Sequence, residues 1–307
     1  MESYSTRPFV RDIGFIGLGA MGAHMARHIA GAGFNLHVHD TNRETLERFA
    51  ALGASVCSTP KAVGDAADAV LVCLPTPDIV ERVALGENGI AHGARAKIYV
   101  DHSTTGPSVA RKVAEALAER QITALDGPLA GGMRGAEAGT LSVMISGEEK
   151  AFSALRDVFD CYGRNVVHVG DRVGQGQALK LINNMIVGAN LVVAAEAILF
   201  GIKYGLAAET IIEMLNASTA RSFVTEDLLE KRILDRQFDF GFRLELMCKD
   251  LRLCVSEAEA AGAPMMVSAL AKQFYELAHA HGNATQDMTV VVRELEKAFG
   301  VSIERRV

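Results

Sequence analysis

The chain has 307 residues, with 49% apolar residues, 31 basic and 37 acidic side chains, and a net charge of −6. This length predicts two domains, and the composition predicts packed cores rather than disorder. The acidic balance argues against a general nucleic-acid binder, which would carry a basic face. The chain has five cysteines and no CxxC pair: Cys57, Cys73, Cys161, Cys248 and Cys254. This pattern argues against a disulfide framework and against structural zinc. It favours a reducing cytoplasm.

Two segments bear on targeting. Residues 1–10 contain Glu2 and no apolar run, so we expect a short lead-in to the first strand and no signal peptide. The span 185–202 is apolar but is interrupted by Asn190 and Glu196 and flanked by Lys180 and Lys203. We therefore predict a buried central helix and no membrane partner.

Short β-branched runs alternate with helical segments over the first 170 residues. The predicted strands are 13–16, 35–40, 69–74, 98–101, 122–126, 141–146 and 166–169. The predicted helices are 20–32, a segment from about 44, 78–84, 107–120 and 149–159. This alternation predicts βαβ units and a mostly parallel, doubly wound sheet.

The pattern becomes purely helical from about residue 175. A helix of up to thirty residues is followed by predicted helices at 207–217, 225–234, 244–261, 264–281 and 288–299. The predicted fold is therefore an α/β Rossmann-type domain over residues 1–170, followed by an all-α domain over 171–307.

A glycine-rich hexapeptide, Gly17-Leu18-Gly19-Ala20-Met21-Gly22, directly follows the first predicted strand and opens a helix. In a dinucleotide-binding turn, the first glycine permits the tight bend and the second lets the backbone approach a pyrophosphate. The third lets the helix pack closely on the sheet. The free N–H groups at the helix start would then bind the phosphates.

Asp40 ends the second predicted strand, 18 residues after Gly22. A carboxylate there can accept hydrogen bonds from the ribose hydroxyls of the adenosine and would repel a 2′-phosphate, so we expect NAD in preference to NADP. Arg43 follows closely and could turn toward a 2′-phosphate, which leaves NADP open.

Several ordered motifs resemble the β-hydroxyacid dehydrogenase family, which includes 3-hydroxyisobutyrate dehydrogenase and tartronate semialdehyde reductase and is related to 6-phosphogluconate dehydrogenase. The resemblance extends from Asp12 to about Glu296. Its segments are GFIGLGAMG (14–22), CLP (73–75), DHSTTGP (101–107), DGPLAGGMRGAEAGTL (126–141), GQGQALKLINN (174–184) and GFRLELMCKDL (241–251). It implies a Rossmann-type domain joined to a helical domain, with the active site in the cleft between them.

The segment that corresponds to the family motif DAPxSGG departs from that motif at two positions. Gly127 stands where alanine is usual, and Ala130 stands where serine is usual. The loss of the serine hydroxyl leaves the identity of the substrate open, although the reaction class is unaffected.

Oxidation of an alcohol by hydride loss needs a base for the hydroxyl proton, and the reverse reaction needs the same group as an acid. Lys180 lies in the first turns of the long predicted helix, and Asn184 lies four residues later on the same face. The resemblance implies that Lys180 is the catalytic residue and Asn184 its partner. Asn183 lies on another face and is not assigned a role.

Other positions are assigned through the resemblance. Ser103 would contact the substrate carboxylate, and Thr104 the nicotinamide end of the cofactor. Gly131 and Gly132 would offer backbone N–H groups to the same carboxylate. Three further residues match cofactor-contacting positions: Leu74, Pro75 and Lys249.

Histidines do not complete a metal site in the sequence. His37 and His39 alternate on a strand, and His279 and His281 lie two residues apart, without a carboxylate or cysteine at ligand spacing. His102 lies within the DHST segment, where a packing role is the simpler interpretation. We therefore predict no metal.

The function predicted is an NAD-dependent dehydrogenase of a small 3-hydroxy acid such as 3-hydroxyisobutyrate or glycerate. An imine reductase of related architecture is one alternative, against which Lys180 counts. A non-catalytic dinucleotide-binding module is the other. The resemblance implies a homo-oligomer, as is usual in this family. Together with the apolar run from Ile186 to Ile202, it predicts a homodimer or homotetramer.

Overall fold

A nine-stranded sheet forms the centre of the first of two compact units in the computed structural model, which describes residues 10–306. The predicted lead-in falls on residues 1–9, outside the described part. The strands are β1 (Asp12–Ile16), β2 (Asn35–His39), β3 (Ser55–Val56), β4 (Ala69–Val72), β5 (Ile98–Asp101), β6 (Thr123–Asp126), β7 (Leu129–Ala130), β8 (Leu141–Gly147) and β9 (Gly163–Gly170). The helices between them are α1 (Gly22–Gly31), α2 (Arg43–Ala51), α3 (Pro60–Ala66), α4 (Pro77–Leu85), α5 (Pro107–Ala118), α6 (Gly132–Glu137), α7 (Glu149–Ala154) and α8 (Arg156–Phe159).

The strand order is β3-β2-β1-β4-β5-β6-β8-β7, with β9 paired to β8. Strands β1 to β6 are parallel, β8 runs antiparallel to both β6 and β7, and β9 runs parallel to β8. The predicted α/β fold is confirmed, and the antiparallel pairs are an addition to it. The order reverses beside β1, which is where open sheets of this kind bind ligands, at the carboxyl ends of the strands.

Alternating strand residues supply apolar cores on the two faces of the sheet. Ile13 and Phe15 of β1 belong to one buried cluster, together with Met25 and Ile29 of α1. Ile16 belongs to a second cluster, which includes residues of β4, α3 and α5. Helices therefore cover both faces of the sheet, as a parallel sheet requires.

The second unit begins at Leu181 and is helical. Its elements are α9 (Gln175–Lys203, whose first residues belong to the first unit), α10 (Ala208–Asn216), a π-helical segment (Val224–Ile233), α11 (Leu244–Ala260), α12 (Met266–Ala278), a second π-helical segment (His279–Asn283), a 3₁₀ turn (Met288–Val291) and α13 (Val292–Phe299). The units divide at Lys180, whereas the predicted boundary lies near Gly170.

Helix α9 is long and apolar enough to cross a membrane by length and composition alone. The mean hydropathy of its most apolar 18-residue window is 2.1, and 44% of that window is buried inside the protein. Leu191, Ala195 and Ile198 belong to the core cluster of the helical unit. A central helix of a packed unit accounts for this composition without a bilayer.

Candidate functional site

The glycine turn after β1 uses its three glycines in three ways. Gly17 has φ of +94°, and a Cβ added there would collide with the carbonyl oxygen of Cys73. A Cβ on Gly22 would collide with the carbonyl oxygen of Gly17. A Cβ on Gly19, by contrast, would meet no atom within 4 Å. The protein itself thus requires two of the glycines, whereas Gly19 leaves room for a ligand, as a pyrophosphate-binding turn does.

The residues between these glycines differ in exposure. Leu18 is buried, Met21 is half-buried, and Ala20 is exposed beside Gly19. The open side of the turn therefore consists of Gly19 and Ala20, directly before the first turn of α1.

Asp40 lies at the carboxyl end of β2 and is tied to the same turn. Its Oδ2 accepts a hydrogen bond from Leu18 N at 2.6 Å, and its Oδ1 accepts one from Asn42 N at 2.7 Å. Arg43 forms an ion pair with Glu47, and its side chain is 92% exposed. The structure therefore brings Asp40 to the glycine turn and leaves Arg43 directed along α2.

The ends of β4 and β5 meet beside the turn. Leu74 N donates to Ser103 Oγ at 2.9 Å, and the Leu74 side chain lies near Gly17. Ser103 is only 4% exposed, whereas Thr104 is half-buried and Pro75 is exposed. The hydroxyl of Ser103 thus joins the ends of β4 and β5. Of Ser103 and Thr104, Thr104 is the more accessible.

Gly131 and Gly132 form the bend between β7 and α6. Their φ angles are +122° and +61°, conformations that favour glycine, and a Cβ on Gly132 would meet no atom within 4 Å. The half-buried Ala130 precedes them. Gly131 and Gly132 therefore form a bend that is open beside Gly132, and their predicted contact with a carboxylate stays a prediction.

Buried polar side chains hold the start of α9, and sequence reasoning gave them no role. Asp126 is 1% exposed and accepts hydrogen bonds from Gly174 N at 2.7 Å, from Gln177 N at 2.8 Å and from the hydroxyl of Ser146. The same hydroxyl oxygen accepts a bond from Gly176 N at 2.9 Å. Burial raises the pKa of Asp126, and these hydrogen bonds oppose that rise.

Lys180 and Asn184 lie one turn apart on α9, so their side chains leave the same side of the helix. Lys180 is half-buried, and Asn184 is buried. Asn184 Nδ2 donates to Asp250 Oδ2 at 2.6 Å, and Lys249 Nζ lies 2.8 Å from Asp250 Oδ1. Asp250 therefore connects two predicted site residues.

Asp250 was not among the predicted site residues. Its adjacency to Lys249 in the segment KD was the available signal, but its partner Asn184 lies 66 residues earlier in the chain. Asn183 Nδ2 donates to Asn184 Oδ1 at 3.0 Å, so the neighbouring amide helps to hold the Asn184 side chain in place.

His102 has the predicted packing role. It is buried, its Nδ1 contacts Gly127 O, and its Nε2 lies 2.9 Å from the hydroxyl of Tyr162. Since a carbonyl oxygen only accepts, Nδ1 carries the proton and Nε2 accepts from the tyrosine. Burial lowers the pKa of His102 to about 4, which keeps the ring neutral. A Cβ on Gly127 would lie 3.1 Å from this ring and 2.5 Å from Ile145 Cδ1, which accounts for glycine in place of alanine.

Two other histidines contact carboxylates. His37 contacts Asp12, and His281 contacts Glu294. Across residues 10–306, no group of three or more His, Cys, Asp or Glu side chains is arranged to hold a metal ion.

Comparison with known proteins identifies the family. Residues 12–170 match the family model of the NAD binding domain of 6-phosphogluconate dehydrogenase. Residues 174–295 match the model described as NAD-binding of NADP-dependent 3-hydroxyisobutyrate dehydrogenase. The chain belongs to the 3-hydroxyisobutyrate dehydrogenase family. This dehydrogenase is therefore an NAD(P)-dependent oxidoreductase, as its sequence motifs predict.

Three relatives indicate how varied the family is. The dehydrogenase is 37% identical to 2-(hydroxymethyl)glutarate dehydrogenase of Eubacterium barkeri, over 95% of this chain and 97% of the relative. It is 36% identical to a probable mitochondrial 3-hydroxyisobutyrate dehydrogenase of Dictyostelium discoideum, over 96% of this chain and 94% of that relative. The structure of Mycobacterium tuberculosis 3-hydroxyisobutyrate dehydrogenase with L-serine superimposes with a TM-score of 0.83 at 28% identity, covering 93% of this chain and 99% of that one.

Proposed function

We propose that this dehydrogenase oxidises the primary hydroxyl of a small 3-hydroxy acid, with Lys180 as general acid/base and Asn184 as its partner. The observation that carries the proposal is the placement of Lys180 one turn before Asn184, whose amide Asp250 holds at 2.6 Å. A buried amide fixed by a carboxylate has a defined orientation toward a substrate hydroxyl. Asp250 is thus proposed to position Asn184, not to react.

The described residues fit a dinucleotide. The open space at Gly19 and the accessible side of the turn at Ala20 would take the pyrophosphate, and Asp40 would take the adenosine ribose. Leu74, Pro75 and Thr104 follow β4 and β5 and would lie toward the nicotinamide, and Lys249 is proposed as a further cofactor-contacting residue. When bound, the nicotinamide supplies the acceptor for the hydride that leaves the carbinol carbon.

The proton moves through this chain's own groups. In the direction of oxidation, unprotonated Lys180 Nζ takes the proton of the substrate hydroxyl as the C–O bond becomes a carbonyl; in reduction the ammonium returns it. Backbone N–H groups at Gly131 and Gly132 would bind the substrate carboxylate. The burial of Ser103 favours a role for its hydroxyl in holding the chain at Leu74, where β4 ends.

The names of the relatives indicate a substrate class. 3-Hydroxyisobutyrate, L-serine and 2-(hydroxymethyl)glutarate share a carboxylate and a hydroxymethyl group on one carbon, and they differ in the other substituent on that carbon. We therefore expect the product to be the corresponding aldehyde. Ala130 lacks the hydroxyl that is usual at its position. We therefore expect the enzyme to distinguish these acids by the substituent in which they differ. A panel of these three acids, with NADH formation followed by absorbance, identifies the preferred one.

The test of the mechanism is Lys180→Ala. Proton-transfer catalysis contributes about 10²–10⁴-fold, so kcat is expected to fall about a hundredfold or more, while the dissociation constant for NAD changes little. Steady-state kinetics and titration calorimetry measure the two quantities, and circular dichroism checks the fold. Lys203→Ala, at the exposed far end of the same helix, is the matched control. A folded Lys180→Ala variant that retains more than about a tenth of wild-type kcat would remove Lys180 from the mechanism.

A further inference from the structure

Gln177 is fully buried in the first turn of α9, and both ends of its amide bind one loop. Its Oε1 accepts hydrogen bonds from Thr105 N at 2.9 Å and Gly106 N at 3.1 Å. Its Nε2 donates to Ser103 O at 2.8 Å. The three contacts need an acceptor and a donor at fixed positions on one side chain, which an amide provides.

These contacts lie on either side of Thr104. On α9, Lys180 follows Gln177 by three residues and so leaves the same side of the helix. We propose that Gln177 is a positioning residue that sets the location of Thr104 relative to Lys180. The proposal rests on the proposed function, because it is there that Lys180 acts as the acid/base.

Gln177 and the loop are themselves held by two buried carboxylates. Gln177 N donates to Asp126 Oδ2 at 2.8 Å. Asp101 Oδ1 accepts from Ser103 N at 2.8 Å, and its Oδ2 accepts from the hydroxyl of Thr105 at 3.3 Å. The loop is therefore fixed to β5 by Asp101 and to α9 by Gln177. A shift in the Gln177 amide would move Thr104 with respect to the helix.

Gln177→Glu separates a positioning role from a merely structural one. A protonated carboxyl has the shape of the amide and can still accept from two N–H groups and donate to Ser103 O. An ionised carboxylate has no donor and faces that carbonyl oxygen. Asp101 at the end of β5 and Asp126 at the end of β6 face this position, and Lys180 lies on the same helix. We expect burial and the two carboxylates to raise the pKa of the introduced carboxyl from its ordinary value toward the assay range, and the N–H groups of Thr105 and Gly106 to oppose that rise.

The experiment measures kcat and KM for the best acid of the panel, in variant and wild type, from about pH 6 to about pH 9. The quantity compared is the variant-to-wild-type ratio of kcat at each pH, in which groups that titrate alike in both proteins cancel. We expect this ratio to fall about tenfold or more as pH rises, because the carbonyl of Ser103 loses its donor. Gln175→Glu is the matched control, since exposed Gln175 only accepts a bond from Arg172 N and a carboxylate can do the same. Its ratio should stay flat.

A Gln177→Glu ratio that stays near one over the whole pH range in folded protein would overturn the proposal, whereas a ratio that is low throughout supports it. If Gln177→Glu unfolds at high pH, Gln177→Met decides: a fall of about tenfold in kcat at unchanged affinity for NAD supports the positioning role, and wild-type kcat overturns it. Lys180→Ala is assayed alongside. An active Lys180→Ala variant refutes the proposed function, whereas an inactive one with a Gln177→Glu ratio near one refutes only the role of Gln177.

Discussion

Asp40 is a single side chain with two structural partners and one proposed ligand. Its oxygens accept from Leu18 N and Asn42 N, and these bonds hold the carboxylate beside the glycine turn. A carboxylate fixed there retains acceptor sites for ribose hydroxyls and would repel a 2′-phosphate. Arg43, the cation that would offset this repulsion, is paired with Glu47 in the described structure.

We predict that the wild type binds NAD about tenfold or more tightly than NADP, since one lost or repelled buried contact costs about 1–3 kcal/mol. Titration calorimetry with both cofactors measures the two dissociation constants. Asp40→Ser should reduce the ratio, and Glu47→Gln, which frees Arg43, is the companion variant. Equal affinities in the wild type would mean that Arg43 rather than Asp40 controls this end of the cofactor.

Residues within local motifs were predictable, and residues with distant partners were not. The glycine turn and Asp40 lie in one βαβ unit, and Lys180 lies in a motif that also contains Asn184. Gln177 lies in that same motif, but it contacts Ser103 O across 74 residues, and its burial depends on where the sheet brings those segments together. No spacing in the sequence identifies such a contact.

At the scale of elements, segments with a clear apolar run were predicted well, and short elements without one were missed. The predicted strand 98–101 is confirmed as β5, and the long helix from 175 is confirmed as α9. The predicted helix 149–159 is divided at Leu155, whose φ of −104° and ψ of 7° are not helical. Strand β7 has two residues and α6 contains two glycines, so neither carries a strong periodic signal.

The start of α9 offers a test of how one element is anchored. At this start, Asp126 accepts hydrogen bonds from two backbone N–H groups and from one hydroxyl. An asparagine in its place would direct its own N–H donor at one of these donors. We expect Asp126→Asn to lower the free energy of unfolding by about 1–3 kcal/mol, the cost of unsatisfied buried hydrogen bonds. Denaturant titration measures it. Asp160→Asn, at an exposed ion pair with Arg156, is the control and should change stability by less than about 1 kcal/mol. Equal stability of Asp126→Asn and wild type would show that the helix start does not depend on this carboxylate.

At the scale of the whole molecule, α9 leaves an apolar stripe uncovered. Ile182, Ile186, Val193 and Phe200 are between 50% and 58% exposed. Their spacings of four and seven residues place them along one side of the helix, over about 27 Å at 1.5 Å per residue. Single exposed apolar residues are ordinary, but a continuous row of this length is typical of a surface that another protein covers.

We propose that a second copy of the chain covers this stripe, because an apolar helix face is self-complementary across a twofold axis, and we predict a homodimer or homotetramer. Sedimentation velocity at micromolar concentration should give the oligomer for the wild type. The double variant Ile186→Lys, Val193→Lys should shift it toward the monomer, since two unpaired charges would be buried in the interface. Thr210→Lys, exposed on α10 in the same unit, adds a charge away from the stripe and should leave the assembly unchanged. A wild-type monomer would refute assembly, and an oligomer that the double variant leaves intact would place the interface elsewhere on the molecule.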